Sequence, residues 1–124
     1  MKIACGTDII EIERIKKSID ELGEKFLNKI FTAEEIIYCE SYKANKYEHY
    51  AARFAVKEAT FKAFNKIKNE DVLDWKKYSV INIESGKPEI IIKDEQLKEK
   101  IEDIDISISH CKSYAMAMVA IIYD

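Results

Sequence analysis

A single proline and three glycines in 124 residues leave no flexible linker and no low-complexity tract, and no internal repeat is present. The chain therefore reads as one domain over residues 1–124. The three cysteines, Cys5, Cys39 and Cys111, are odd in number and widely spaced. They fit neither a disulfide framework nor a zinc site, so reduced thiols in a cytoplasmic protein are expected. No stretch approaches the roughly 18 apolar residues of a membrane span. The segment from Met1 to Cys5 lacks the apolar core and cleavage site of a signal peptide. There is no basic excess either. Formal net charge is −3 with the two signs intermixed, which argues against a nucleic-acid binder and leaves any anionic partner to a local patch. Neither a phosphate-cradling loop nor a dinucleotide glycine motif occurs. The two histidines have no serine, aspartate or cysteine partner at a spacing that would make a hydrolytic triad.

What is present is an α+β pattern, with helices mostly first and strands mostly later. Lys2 to Ile12 reads as a strand interrupted by Asp8. Glu13 to Ile30 reads as a helix that Gly23 breaks or bends. Thr32 and Glu35 form a capping box opening a short helix to about Ser41. A long helix is expected from Tyr47 to Phe64, then a loop or broken helix over 65–74. Strands follow at Val80–Glu84 and Glu89–Lys93 around the turn Ser85-Gly86-Lys87-Pro88. Asp94 caps a short helix through Ile101. Ile104–His110 and Tyr114–Tyr123 close the chain as strands, the last apolar on both faces and so central in a largely antiparallel sheet.

The long helix carries the chemistry. Its apolar residues run nearly all the way round, which predicts burial, yet it holds Arg53, Lys57, Glu58 and Lys62. Buried charges need a partner, a metal or a ligand. Arg53 and Lys57 share one stripe, and Glu58 and Lys62 a neighbouring one. The plain structural alternative is two surface ion pairs. A metal would need a second oxygen ligand besides Glu58. Asp8 is the candidate, since aspartate is disfavoured inside an apolar strand. Two carboxylates plus water and phosphate oxygens suit Mg²⁺, with Lys and Arg holding the remaining phosphate charge. In isolation His110, at a strand end, reads as a satisfied edge-of-core histidine, and His49 as a surface or packing residue.

These residues resemble the holo-[acyl-carrier-protein] synthases, the small bacterial 4′-phosphopantetheinyl transferases. The resemblance runs end to end. It rests on Gly6-Thr7-Asp8-Ile9 with Glu11 and Arg14-Ile15, and on Arg53-Phe54-Ala55 through Lys57-Glu58-Ala59 to Lys62-Ala63. It also rests on Gly86 with Pro88, and on Ser107-Ile108-Ser109-His110 followed by Tyr114-Ala115.

It implies the 4′-phosphopantetheinyl transferase-like fold and transfer of phosphopantetheine from coenzyme A to a serine of apo-acyl carrier protein, in fatty acid biosynthesis. It implies Mg²⁺ on Asp8 and Glu58, and Lys62 at the departing phosphate. The catalytic candidates are Asp8, Glu58, Lys62 and His110, and contacts to coenzyme A are expected from Arg53, Lys57, Lys62, the Gly86-Lys87-Pro88 turn and His110. The acidic carrier should meet basic residues of the first helix, Arg14 above all, with Lys17 and Lys25. A homotrimer with sites between subunits is implied too, and a neighbour would then cover the uniformly apolar helix. One departure stands out: Asn65-Lys66-Ile67-Lys68 replaces a glycine-rich turn. Asn65 can take the left-handed conformation in place of glycine, and Lys66 and Lys68 could add phosphate contacts. The rival reading is a non-catalytic coenzyme A or carrier-protein binding module of the same fold.

Overall fold

A computed structural model describes residues 1–69 and 72–124. The expected loop over 65–74 includes residues 70 and 71, which lie outside the described residues. The chain runs β1 (Lys2–Glu11), α1 (Ile12–Leu22), α2 (Glu24–Ile30), α3 (Ala33–Glu40), α4 (Lys46–Phe64) and a 3₁₀ turn (Trp75–Lys77). It continues β2 (Tyr78–Asn82), β3 (Pro88–Ile92), α5 (Glu95–Lys100), β4 (Ile101–His110) and β5 (Tyr114–Tyr123). Among the described residues no helix is long and apolar enough to cross a membrane.

Local chemistry sets the boundaries. Gly23, at φ +59°, splits the expected first helix into α1 and α2, because other residues reach that region only with strain. Thr32 and Glu35 form the capping box. The Asp94 side chain accepts from the backbone N–H groups of Gln96 and Leu97. β4 starts at Ile101, three residues before the expected Ile104, because Ile101–Asp103 already pair with β5 across a register irregularity. α4 ends without any left-handed residue. Asn65 stays right-handed at φ −62°, and the chain turns through tight N–H bonds from Asn65 to Lys68. The expectation for Asn65 is thus corrected: a tightened helical turn satisfies the last carbonyls, so no glycine-like conformation is required.

Among the described residues all strand pairs are antiparallel, but they form two sheets rather than one. One has the order β1-β5-β4, with β5 central as expected; the other is the β2–β3 hairpin alone. Register fixes the faces of the larger sheet. Ala4, Gly6, Asp8 and Ile10 lie opposite Ile121, Val119, Ala117 and Ala115, and α4 packs against this face.

α4 is buried nearly all round by its own chain. β1 and β5 lie on one side, with α1, α3 and β2 on the others. The burial of this helix therefore needs no neighbouring subunit. The bare apolar surface is instead the far face of the sheet. There Ile3 (67% exposed), Ile9 (65%), Met116 (41%) and Met118 (43%) stand along the neighbouring strands β1 and β5.

Candidate active site

Gly6 sets the distance between β1 and α4. A Cβ at this position would overlap the backbone carbonyl oxygen of Ala59. Glycine lets helix and strand close to contact, and two residues later Asp8 meets the turn of α4 that carries Glu58 and Lys62. The Lys62 ammonium donates to Thr7 O at 3.0 Å and to Asp8 Oδ1 at 3.3 Å. Glu58 makes no hydrogen bond or ion pair among the described residues. Its carboxyl is pushed above the usual carboxylate range, by burial first and by the Asp8 charge second, with Lys62 opposing. Asp8 and Glu58 line one cleft of ≈ 330 Å³ with Arg14, Ser18, Phe26 and Phe54.

Two partly buried carboxylates that repel each other, one of them bonded by Lys62, could hold a divalent cation. Among the described residues no cluster of three or more His, Cys, Asp or Glu is gathered for a metal. Two carboxylates could hold a Mg²⁺ ion, which commonly takes its other oxygens from water and phosphate.

A second cleft of ≈ 380 Å³ lies at the opposite edge of the sheet. Its lining includes Arg53, Lys87, Pro88, His110, Glu48 and His49, and it shares no residue with the first. Arg53 and Glu58 are five residues apart, about 140° round the helix. β1 and β4 flank β5, which separates them by about 10 Å. Arg53 is 3% exposed and has no carboxylate partner among the described residues. Its guanidinium lies 3.9 Å over the Tyr38 ring, and its Nε is buried with no hydrogen-bond acceptor. Its Nη2 donates to Asn82 Oδ1 at 2.5 Å, and a buried cation without a carboxylate partner suits an anionic ligand. His110 sits at the rim, its Nδ1 3.8 Å from Glu48. His49 stacks on Tyr42, and burial first and Arg53 second hold it below the usual histidine value. Lys87 reaches Asp105 at 3.4 Å. Gly86 supplies the positive φ (+85°) of the hairpin turn.

Lys57 contradicts its expected role. It is fully buried, points into the core and pairs with Glu35 at 2.5 Å. It also donates to Ile30 O at 2.7 Å and Trp75 O at 3.0 Å. All three of its hydrogens have acceptors, so none is left for a ligand. Burial holds it below the ordinary lysine value, and Glu35 opposes that shift. Lys66 is exposed beyond α4 and lines neither cleft. Lys17 and Lys25 are exposed on α1 and α2, outside both clefts, whereas Arg14 stands beside the carboxylates. Tyr38, Glu48 and Asn82 escaped the sequence reading. Only Asn82 left a signal there, since asparagine is depleted within strands.

A carboxylate pair with a lysine stands at one edge, and a guanidinium without a carboxylate partner among the described residues stands at the other. The protein's class is the 4′-phosphopantetheinyl transferase superfamily, whose family model matches residues 4–119. Within that class the chain belongs to the holo-[acyl-carrier-protein] synthase family. A holo-[acyl-carrier-protein] synthase of Ruminiclostridium cellulolyticum is 42% identical over 126 residues, covering 98% of this chain and 92% of the relative. One from Thermodesulfovibrio yellowstonii is 50% identical over 116 residues, covering 94% and 95%. The fold also matches a solved Chronobacterium ammoniagenes ACPS–CoA complex, with TM-score 0.83, 25% identity, and coverage of 100% of this chain and 99% of that one. A Bacillus anthracis holo-(acyl-carrier-protein) synthase in complex with CoA (3′,5′-ADP) matches with TM-score 0.77 and 32% identity, covering 95% and 94%.

Proposed function

We propose that this protein transfers the 4′-phosphopantetheine group of coenzyme A to a serine hydroxyl of apo-acyl carrier protein, in fatty acid synthesis. The products are holo-acyl carrier protein and adenosine 3′,5′-bisphosphate. The observation that carries this reading is the meeting of Asp8, Glu58 and Lys62 where Gly6 lets α4 touch β1, in a chain up to half identical to named synthases. The same intact trio disfavours a binding module without catalysis.

Asp8 and Glu58 would hold Mg²⁺, which when bound supplies charge neutralisation at the pyrophosphate. The serine oxygen bonds to phosphorus as the bond to the bisphosphate oxygen breaks. Lys62 stands beside the carboxylates to stabilise or protonate that leaving oxygen. Glu58, at the same cleft, is the candidate to accept or relay the serine proton. Arg14 at the mouth of this cleft, with Lys17 and Lys25 beyond it, would meet the acidic carrier.

The second cleft is too far round α4 to serve the same cleft of its own chain. In a homotrimer, the bare face formed by Ile3, Ile9, Met116 and Met118 would be covered, and each active site would take Asp8, Glu58 and Lys62 from one subunit and Arg53, Lys87, Pro88 and His110 from the next. The test is complementation. Asp8→Asn and Arg53→Gln variants, each inactive in a mass-shift assay on apo-carrier, coenzyme A and Mg²⁺, are refolded together. Random mixing leaves about a quarter of intersubunit sites intact, so about a quarter of wild-type activity returns. No recovery would refute the shared site. Wild-type protein that adds no phosphopantetheine mass would refute the transferase itself.

A further inference from the structure

We propose that Asn82 is the positioning residue of the Arg53 cleft, and that its neutrality keeps that cleft receptive to an anion. The proposal rests on the transferase reading, in which the anion is coenzyme A.

Asn82 ends β2, opposite Pro88 in the hairpin register. Its amide spans two elements. Oδ1 accepts from Arg53 Nη2 at 2.5 Å, and Nδ2 donates to Gly86 O at 2.9 Å. One side chain thereby ties the guanidinium of α4 to the turn that carries Lys87. The orientation of the amide is determined. Flipping it would set a donor against a guanidinium donor and an oxygen against a carbonyl, losing both bonds. The turn has two internal bonds of its own, Gly86 N–H to Ile83 O at 2.7 Å and Ile83 N–H to Lys87 O at 3.0 Å. Those shape the turn; the Asn82 amide fastens it to the helix. Tyr38 holds one face of the guanidinium and Asn82 holds its edge, so Arg53 is fixed with its Nε still unsatisfied.

The choice of asparagine matters. Aspartate would make a stronger, charge-assisted bond to Arg53. It would also neutralise the one buried cation of the cleft and offer no hydrogen to Gly86. The amide keeps the bond and leaves the positive charge uncompensated, which suits a pre-formed anion site and not a structural ion pair.

The experiment compares wild type with Asn82→Asp and the near-isosteric Asn82→Leu. Steady-state KM and kcat, coenzyme A binding by calorimetry, and thermal unfolding are measured at two ionic strengths. Asn82→Asp should raise the KM and Kd for coenzyme A by about 10-fold or more at low salt, and less at high salt. Asn82→Leu should raise both by a smaller, salt-insensitive factor of about 5. For both, kcat at saturation and the KM for carrier should stay within about twofold, the mark of uniform binding lost from one substrate. A purely structural role would lower the unfolding temperature and produce no salt-dependent difference between the two variants. Should Asn82→Asp fail to fold, unchanged coenzyme A affinity in folded Asn82→Leu overturns the assignment, and the predicted loss supports it. Coenzyme A affinity in Asn82→Asp within about twofold of wild type also overturns it. Wild-type protein that binds no coenzyme A overturns the transferase reading as well, so the two failures are distinguishable.

Discussion

Lys57→Met should destabilise the fold strongly and leave coenzyme A affinity nearly intact in the folded fraction. The Lys57 ammonium, with no solvent contact, joins Glu35, Ile30 O and Trp75 O. Glu35 in turn accepts from Thr32 N–H at 2.8 Å and Val80 N–H at 2.8 Å. The pair therefore links α4, the start of α3, the 3₁₀ turn and β2. Removing one partner leaves a buried carboxylate without its cation and two carbonyls without a donor. Such losses cost about 3–5 kcal/mol. For a chain of 124 residues each kcal/mol is worth roughly 4 °C. The midpoint should thus fall by about 12–20 °C. Glu35→Leu should do comparable harm. The double variant Glu35→Leu/Lys57→Met removes both charges together and should recover much of the loss. Urea and thermal unfolding of the four proteins close the cycle, and calorimetry with coenzyme A is run below the lowest midpoint. A Lys57→Met protein with wild-type stability and at least tenfold weaker coenzyme A binding would refute the reasoning and restore the sequence-based role.

Three further outcomes follow from the same geometry. Glu58→Gln should cut turnover by roughly 100-fold or more, yet raise the unfolding temperature slightly in EDTA. A carboxyl whose folded value lies above its unfolded one favours the fold below the unfolded value and loses that contribution as pH rises through the folded value, so at neutral pH the glutamine removes a cost. An unfolding temperature unchanged or lowered would contradict the crowding of Asp8 and Glu58. Arg14→Glu should raise the KM for the carrier by about 10-fold, with coenzyme A binding unaffected; weaker coenzyme A binding in calorimetry would count against it. His49, held below the usual histidine value, contributes stability that is present above that value and lost as pH falls through the folded one. The urea midpoint should therefore drop from pH 7.5 to 5.5, with a shallower drop in His49→Phe, and equal slopes would dismiss the residue as a titrating group.

Much of the fold could be read from local chemistry. The Thr32–Glu35 box, the Asp94 cap, the Gly23 break and the centrality of β5 are each decided by a few adjacent residues, and each stands in the structure as expected. What could not be read depends on side-chain direction across long sequence separations. Lys57 and Glu58 are adjacent in the chain, and nothing in their identities says that one turns into the core and the other toward a cleft. Glu35 decides it, 22 residues upstream, together with the carbonyls of Ile30 and Trp75. Asn82 shows the same limit, since its two partners lie four and 29 residues away. The uniformly apolar helix meets a related limit. Periodicity registers that a surface is covered, but not by what.

α4 is best understood as a partition. Arg53 on one flank and Glu58 on the other face separate clefts, while Lys57, between them in sequence, anchors the wall to the core through Glu35. A helix that kept all four charges for one ligand would have to present them on one face, and five-residue spacing forbids that. In the proposed homotrimer, one helix would supply half of two different sites, and a second copy would bring its other flank within reach. The exposed sheet face begins one residue from this machinery: Ile9 follows Asp8, and Met116 lines the same shallow cleft as Asp8 and Lys62. Burying that face would assemble the site and shield its charges from water at once. Activity per chain should therefore fall on dilution with the dissociation of the oligomer, at concentrations where the single fold is still intact.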